Sequence, residues 1–154
     1  MQHDPESKLA ELGLALPAVA KPVAAYLPFR RSGNLIFIAG QIPMKDGALI
    51  AKGAVPSQVS MEQAADCARQ CVLNGLANIK AAVGSLSKVK QVIRIGVFVC
   101  SDAGFYDQPK VANHASELLA QVFGEAGQHA RAAVGSIALP LGSPVEIDFI
   151  VEVE

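Results

Sequence analysis

The last ten residues alternate in a way that constrains the fold more than any other stretch of the chain. Apolar side chains fill every odd position from 145 to 153: Val145, Ile147, Phe149, Val151 and Val153. The even positions carry acids with one exception: Glu146, Asp148, Ile150, Glu152 and Glu154. Because successive side chains of a strand point to opposite faces, this pattern predicts a strand with one face on a core. Ile150 interrupts the acidic set, so we expect the second face to be partly covered as well.

A lone arginine lies in the apolar run that precedes this strand. Arg131 stands among Ala, Val and Ile, and a short turn over residues 139–144 separates its run from the last strand. We predict a strand that begins with a guanidinium beside a strand that carries a carboxylate, Glu146, near its start. This pair is the candidate site. Two other interpretations are that Arg131 and Glu146 form a structural ion pair, and that Glu146 is one of several solvated acids.

The size and charge of the chain limit the classes of partner. With 154 residues it is long enough for one domain with its own core. Apolar residues make up 51% and charged residues 18%, so little charge covers the surface, and we expect a second subunit to bury part of it. The net charge of −1, with scattered basic residues, predicts no nucleic-acid or membrane partner. The N-terminus does not resemble a signal peptide, which predicts a cytoplasmic protein.

Three cysteines offer a possible metal site. Cys67 and Cys71 are four residues apart, which places them on one face of a predicted helix, while Cys100 lies in a predicted strand. No further thiol or histidine stands beside them at the spacing of metal ligands. We therefore interpret all three as buried thiols that pack like small apolar side chains, and we expect no metal and no disulfide.

The order of predicted elements indicates the fold class. Residues 1–23 form an N-terminal extension with a short helix over 8–13, and residues 24–154 form the domain. Within the domain we predict strands over 25–31 and 35–39, a helix opened by Ser60, a strand over 88–101, a helix over 110–123 and two closing strands. This β-β-α-β-α-β-β order predicts an α+β fold, in which one mixed sheet carries two helices on one face. Something else must cover the other face, and a symmetric partner would do so.

Three single residues need an interpretation. Gly40 ends a buried strand, which indicates either close approach of another group to the backbone or a plain strand end. Arg94 is the one charge in the apolar run 92–100 of the strand 88–101, and we expect it to be paired. His129 is close to Arg131, but it is interpreted as a solvent-exposed loop residue.

The pattern resembles the RidA/YjgF family, formerly called the L-PSP endoribonuclease family, and within it an N-terminally extended subgroup. The resemblance runs from about Tyr26 to Glu154. It rests on Tyr26, the Ala-Gly-Gln-Ile-Pro of 39–43, Asn113, Arg131 placed eight residues before Leu-Pro at 139–140, and Val-Glu-Ile-Asp at 145–148. It implies a chorismate-mutase-like fold that assembles as a homotrimer, with the sheets lining a central barrel and clefts between subunits.

The resemblance also implies a function. Family members of the RidA type are enamine/imine deaminases, which hydrolyse 2-imino acids such as 2-aminoacrylate to 2-keto acids and ammonia without a cofactor. By resemblance, Arg131 grips the carboxylate of the substrate and Glu146 positions the attacking water. The other residues that it places around the ligand are Tyr26, Gly40, Asn113 and Ala133. The residue before Gly40 is Ala39, where the deaminase branch tends to carry Ser.

Elementary chemistry agrees with these roles. The arginine fork holds a planar carboxylate through two hydrogen bonds, and hydration of C=N needs a positioned water and a proton relay rather than a metal. Tyr26 is interpreted as a core or cleft residue rather than a proton donor, since its usual pKa is about 10. Two alternatives are a non-catalytic trimer that binds small carboxylates and an endoribonuclease. The absence of a basic patch and of a histidine pair argues against the latter.

Overall fold

A computed structural model gives the structure and describes residues 4–19 and 24–154. In chain order, its principal elements are α1 (Pro5–Glu11), β1 (Phe29–Ser32), β2 (Leu35–Gln41), β3 (Met44–Lys45), β4 (Ala48–Leu49), α2 (Met61–Val83), β5 (Val89–Cys100), α3 (Gln108–Phe123), β6 (Ala130–Ser136) and β7 (Val145–Val153). The predicted order of strands and helices is confirmed, including the short N-terminal helix, and the small β3–β4 hairpin is added to it. In the described part of the chain, no helix combines the length and the apolarity needed to cross a membrane.

Five strands form one mixed sheet in the order β1-β2-β7-β5-β6. The pairs β1–β2, β2–β7 and β7–β5 are antiparallel, whereas β5–β6 is parallel. β5 therefore lies in the interior of the sheet, as its long apolar sequence predicts. The predicted α+β class with helices packed on a mixed sheet is confirmed.

The alternation of β7 determines which face of the sheet forms the core. All five apolar residues at its odd positions are buried, and the residues between them are half-buried. α2 packs closely on this strand at Gly75, where a Cβ atom would lie 2.5 Å from the Phe149 ring. Helices cover the odd face, and the even face carries Glu146, Asp148 and the half-buried Ile150. The prediction of one core face and one partly covered face is confirmed.

One expectation about the last two strands is wrong. β6 and β7 follow each other in the chain, but β5 lies between them, so the strand with Arg131 is not beside the strand with Glu146. A strand that is apolar on both sides is most stable where both of its edges are paired, and β5 takes that place. β6 is left as an edge strand.

The start of α2 agrees with the sequence. Ser60 Oγ accepts a hydrogen bond from the Gln63 backbone N–H (3.1 Å), and Gln63 Oε1 accepts one from the Ser60 N–H (2.9 Å). These two bonds form a capping box and begin the helix after Ser60, as predicted. At the other end, Gly84 adopts φ 88°, a left-handed conformation that glycine accepts at low cost.

Several predicted boundaries are corrected. β1 begins at Phe29 and not at residue 25, because Pro28 offers no N–H for pairing. The segment between β2 and α2 contains the β3–β4 hairpin, and α3 begins at Gln108 with Pro109 in its first turn. The N-terminal helix begins at Pro5 rather than at residue 8, because the Asp4 carboxylate accepts the N–H groups of Glu6 and Ser7.

The helix α1 is a brace on the body of the domain. Leu9 is 3% exposed and belongs to the main core. The Glu6 carboxylate accepts hydrogen bonds from the Leu86 N–H (3.1 Å) and from Lys80 Nζ (3.4 Å). α1 is thus joined both to the end of α2 and to the turn that precedes β5.

We expect Glu6→Ala to lower the free energy of unfolding by about 1 kcal/mol, because it leaves the Leu86 N–H without its acceptor. Denaturant unfolding checks this. Glu11→Ala is the matched control, since Glu11 is on the same helix and forms a surface pair with Lys8 at 3.2 Å. Equal losses in the two variants would contradict the role of Glu6 as a tether.

Candidate functional site

Two partners on α3 hold the Arg131 side chain. Arg131 Nη1 donates to Asn113 Oδ1 (2.9 Å) and to Ser116 Oγ (3.1 Å). Both partners are neutral and lie one turn apart on the same helix face. Among residues 4–19 and 24–154, no carboxylate forms an ion pair with this guanidinium, which therefore keeps its full charge for a ligand.

An open depression of about 350 Å³ lies beside this guanidinium. Its lining comes from the last turns of α3, from the turn before β6, and from Arg131 itself. Glu117 also lines it but makes no ion pair with Arg131. The depression is large enough for a small organic anion.

Glu146 lies on the sheet face that no helix covers. Its neighbour across the sheet is Phe98 of β5. Burial raises the pKa of the Glu146 carboxyl, and the nearby Asp148 carboxylate raises it further. In the described part of the chain, no group donates a hydrogen bond or forms an ion pair with Glu146. A half-buried carboxylate with a raised pKa and free oxygens is a stronger base than an ordinary glutamate and is suited to accept a proton.

The backbone of Gly40 lies directly against this carboxyl. The pairing of β2 with β7 shifts register between Ile38 and Gln41, so Gly40 lies in a bulge. A Cβ atom at Gly40 would lie 3.0 Å from Glu146 Cδ. Of the two interpretations of this glycine, the close approach is the one that the structure shows.

Arg131 and Glu146 point to opposite faces of the sheet. Arg131 pairs with Ile95, whose side chain faces the helices, whereas Glu146 pairs with Phe98 on the uncovered face. The alternative of a structural ion pair between them within one protomer is therefore wrong. One protomer does not bring the two predicted catalytic groups together.

The remaining residues named from the sequence lie in different places. Asn113 contacts Arg131 directly, and Ala133 points to the same side of β6 as Arg131, half-buried against the core. Tyr26 precedes β1 and is 57% exposed, so it is not a core residue of the protomer, and its place in a cleft stays a prediction. Ser116 was missed, although its position three residues after Asn113 could have indicated it.

Arg94 and Asp148 form a pair next to Glu146. Their side chains are 3.7 Å apart, and Asp148 Oδ1 also accepts the Gly96 N–H (2.9 Å). The expectation that Arg94 is paired is confirmed. Because Asp148 is held in this way, its charge stays beside Glu146.

His129 is not the exposed loop residue that the sequence indicates. It is half-buried, and its Nδ1 lies 3.0 Å from the Ala130 carbonyl oxygen. Burial lowers the pKa of His129, the contact with the Ala130 carbonyl partly opposes this, and the Arg131 charge lowers it further. A neutral imidazole therefore lines the depression beside Arg131.

The three cysteines are buried and free. Burial raises the pKa of Cys67 to about 12, and it raises the pKa of Cys71 well above its ordinary value. Thiols held protonated in this way are poor metal ligands and poor nucleophiles. Among the described ranges 4–19 and 24–154, no cluster of three or more His, Cys, Asp or Glu side chains could hold a metal ion.

The chain is similar to a described protein family and to known proteins. The model of a family described as "YjgF/chorismate mutase-like, putative endoribonuclease" matches residues 6–153. Protein TCP17 of Trypanosoma cruzi is 40% identical over 147 residues, which cover 95% of this chain and 92% of that protein.

Two solved structures have nearly the same fold. The protein Atu1372 of Agrobacterium tumefaciens, described as of unknown function, superposes with a TM-score of 0.92 at 46% identity, over 97% of this chain and 92% of that one. A putative endoribonuclease of Shewanella oneidensis gives a TM-score of 0.94 at 32% identity, over 97% and 99% of the two chains. In both, the match includes most of the N-terminal segment.

Proposed function

The chain belongs to the YjgF/chorismate mutase-like family, and from this premise we propose that it hydrolyses reactive 2-imino acids to 2-keto acids and ammonia. The observation that carries the proposal is the state of Arg131, a guanidinium oriented by two neutral side chains and paired with no acid of the described residues. Such a group is prepared for an external carboxylate.

Arg131 supplies the binding step. Asn113 and Ser116 occupy one terminal nitrogen of the guanidinium, which leaves the other nitrogens to form a fork toward a ligand. A planar carboxylate accepts two parallel hydrogen bonds from such a fork. The neutral His129 beside it adds no competing charge.

Glu146 supplies the hydration step. As a carboxylate, it accepts a proton from water while the water oxygen bonds to the carbon of an imine that solvent has protonated. The nitrogen of the resulting carbinolamine takes this proton from Glu146 and leaves as ammonia, while the hydroxyl group loses its proton to solvent and becomes the carbonyl of the 2-keto acid. Gly40 leaves room for this carboxyl because it has no Cβ atom. Imines are reactive electrophiles, so holding water and substrate in place supplies much of the acceleration.

We propose that the complete site forms between subunits of a homotrimer. Arg131 and Glu146 lie on opposite faces within one protomer, so a cleft that uses both must combine two copies. Exposed apolar side chains on the uncovered sheet face and near the end of β6 support the assembly; they include Phe37 (43% exposed), Val134 (46%) and Ile137 (97%). Isolated subunits rarely leave such surface in water.

Sedimentation equilibrium at micromolar concentration should therefore give about three times the protomer mass of 16.0 kDa. We expect this mass to persist at high salt, because apolar contacts are not screened. A monomer under these conditions would contradict both the trimer and a site shared between subunits.

Release of keto acid from a panel of freshly generated 2-imino acids tests the proposed reaction. Wild type should accelerate this release, and Arg131→Ala should remove most of the acceleration. Arg69→Ala is the matched control, since Arg69 also contacts α3, through His114 (3.1 Å), but lies away from the depression beside Arg131. A parallel incubation with RNA tests the activity named for some relatives. RNA cleavage without keto acid release would overturn the proposal.

A further inference from the structure

Three amide side chains form a ladder along the inner face of α2. Gln70, Asn74 and Asn78 are spaced four residues apart, and each is buried. Gln70 Nε2 donates to Asn74 Oδ1 (3.0 Å), and Asn78 Nδ2 donates to the Asn74 backbone carbonyl (3.0 Å). The neighbouring positions on this helix face are Ala, Cys, Val and Leu, so amides are unusual here.

The ladder holds the segment that follows the bulge of β2. Asn74 Nδ2 donates to the carbonyls of both Ile42 and Met44, each at 3.0 Å. Asn78 Nδ2 donates to Gln41 Oε1 (3.3 Å), and Gln41 Nε2 in turn donates to the Ala39 carbonyl (2.8 Å). Residues on both sides of Gly40 are therefore tied, directly or through Gln41, to one helix.

We propose that Asn74, assisted by Asn78 and Gln41, is a positioning residue that holds the Gly40 backbone against the Glu146 carboxyl. Gly40 is part of a register shift, and nothing in the regular pairing of β2 with β7 determines how far it protrudes. The contact with Glu146 depends on that protrusion. The consequence for catalysis rests on the proposed function, whereas the positioning itself does not.

Apolar side chains could pack α2 against the segment 39–44 without these amides. Among the described residues, Asn78 Oδ1 has no hydrogen-bond partner although it is buried, which is a cost that apolar residues would avoid. Fixed amide donors give something that apolar packing lacks, namely a defined position for three backbone carbonyls.

The position of Gly40 affects how much water reaches Glu146. The charged group that faces this carboxyl is Asp148 on β7, with its partner Arg94 on β5, while the buried Cys71 on α2 lies on the other side of the sheet. β2 contributes no ionisable group next to it, only the Gly40 backbone. If Gly40 retreats, Glu146 gains water while its charged neighbours stay in place, and its pKa falls.

Titration of Glu146 followed by carboxyl-carbon NMR tests the proposal on the intact protein. In Asn74→Ala, we expect the midpoint to fall by about half a pH unit or more. We also expect amide exchange at Gly40 and Gln41 to accelerate roughly tenfold. Gln70→Ala is the matched control, because Gln70 is buried on the same helix and bonds Asn74 but not the segment 39–44. Gln70→Ala removes one bond to Asn74 but none to the segment, so it should change the midpoint and the exchange rates much less than Asn74→Ala does.

Gln41→Met provides the second variant. It removes both hydrogen bonds of the Gln41 side chain at a half-buried site, so it should fold even where Asn74→Ala does not, and it should shift the titration in the same direction. An unchanged midpoint in both variants, or an equal shift in Gln70→Ala, would overturn the positioning role. An inactive wild type would contradict the proposed function alone, because the titration does not depend on turnover.

Discussion

Replacing Arg131 with Ala is expected to weaken the binding of a 2-keto acid such as 2-oxobutyrate by roughly 30- to 150-fold, or about 2–3 kcal/mol. The physical reason is the loss of a charge-assisted, two-pronged contact to the ligand carboxylate. Asn113 and Ser116 hold the guanidinium in one orientation before a ligand arrives, so little side-chain entropy is lost on binding. Calorimetry with wild type and variant measures the difference.

Arg131→Lys keeps the positive charge but removes the two parallel hydrogen bonds that a guanidinium can donate. An ammonium group is a point charge and cannot reproduce the two parallel bonds, so we expect it to recover little of the lost affinity. Arg69→Ala should bind like wild type, since its guanidinium is used by Asp66 (2.9 Å) and His114 (3.1 Å). Equal affinities in all of these proteins would show that Arg131 serves only to join β6 to α3.

The faces of the sheet could be predicted because they depend on local pattern alone. The alternation in β7 needs no knowledge of its neighbours, and every odd residue of that strand is buried as expected. The same holds for the capping box at Ser60, where both hydrogen bonds lie within one turn. Where a signal and its consequence lie within a few residues, the sequence was sufficient.

The order of strands could not be predicted in the same way. β6 and β7 are consecutive in the chain, and only a short turn separates them. This arrangement favours direct pairing between the two strands. β5 precedes both strands by a whole helix, and it lies between them because both of its edges are paired there. That non-local choice puts a strand between Arg131 and Glu146, and the register of the two pairings turns their side chains to opposite faces. The cleft that we propose therefore combines two copies.

The amide ladder was missed for a different reason. The apolar positions of α2 indicate the helix so strongly that its polar residues add nothing to that prediction. The spacing of Gln70, Asn74 and Asn78 places three amides on one face, which is a visible signal. The segment that these amides hold is evident only from the bulge at Gly40. In the sequence, a glycine is the only sign of that bulge.

Glu146→Gln is expected to lower kcat for imine hydrolysis by roughly 10²- to 10⁴-fold, with much less effect on the affinity for a keto acid. An amide oxygen still accepts a hydrogen bond from water but is too weak a base to take its proton. Arg131 still binds the carboxylate of the ligand in this variant, so binding persists. Single-turnover kinetics together with calorimetry separate the two effects. Glu152→Gln, on the same face of β7, is the matched control.

The pH dependence of kcat provides a second test of the role of Glu146. Burial and the Asp148 charge raise the pKa of Glu146, so its carboxylate form disappears at a higher pH than for an ordinary glutamate. Since only the carboxylate accepts the proton of water, kcat should rise with pH through this raised pKa and then level off. Glu146→Gln should remove that rise, while Glu152→Gln should keep it. A rise that survives in Glu146→Gln would mean that another group takes the proton, and the unpartnered carboxyl beside Gly40 would then have a role in binding alone.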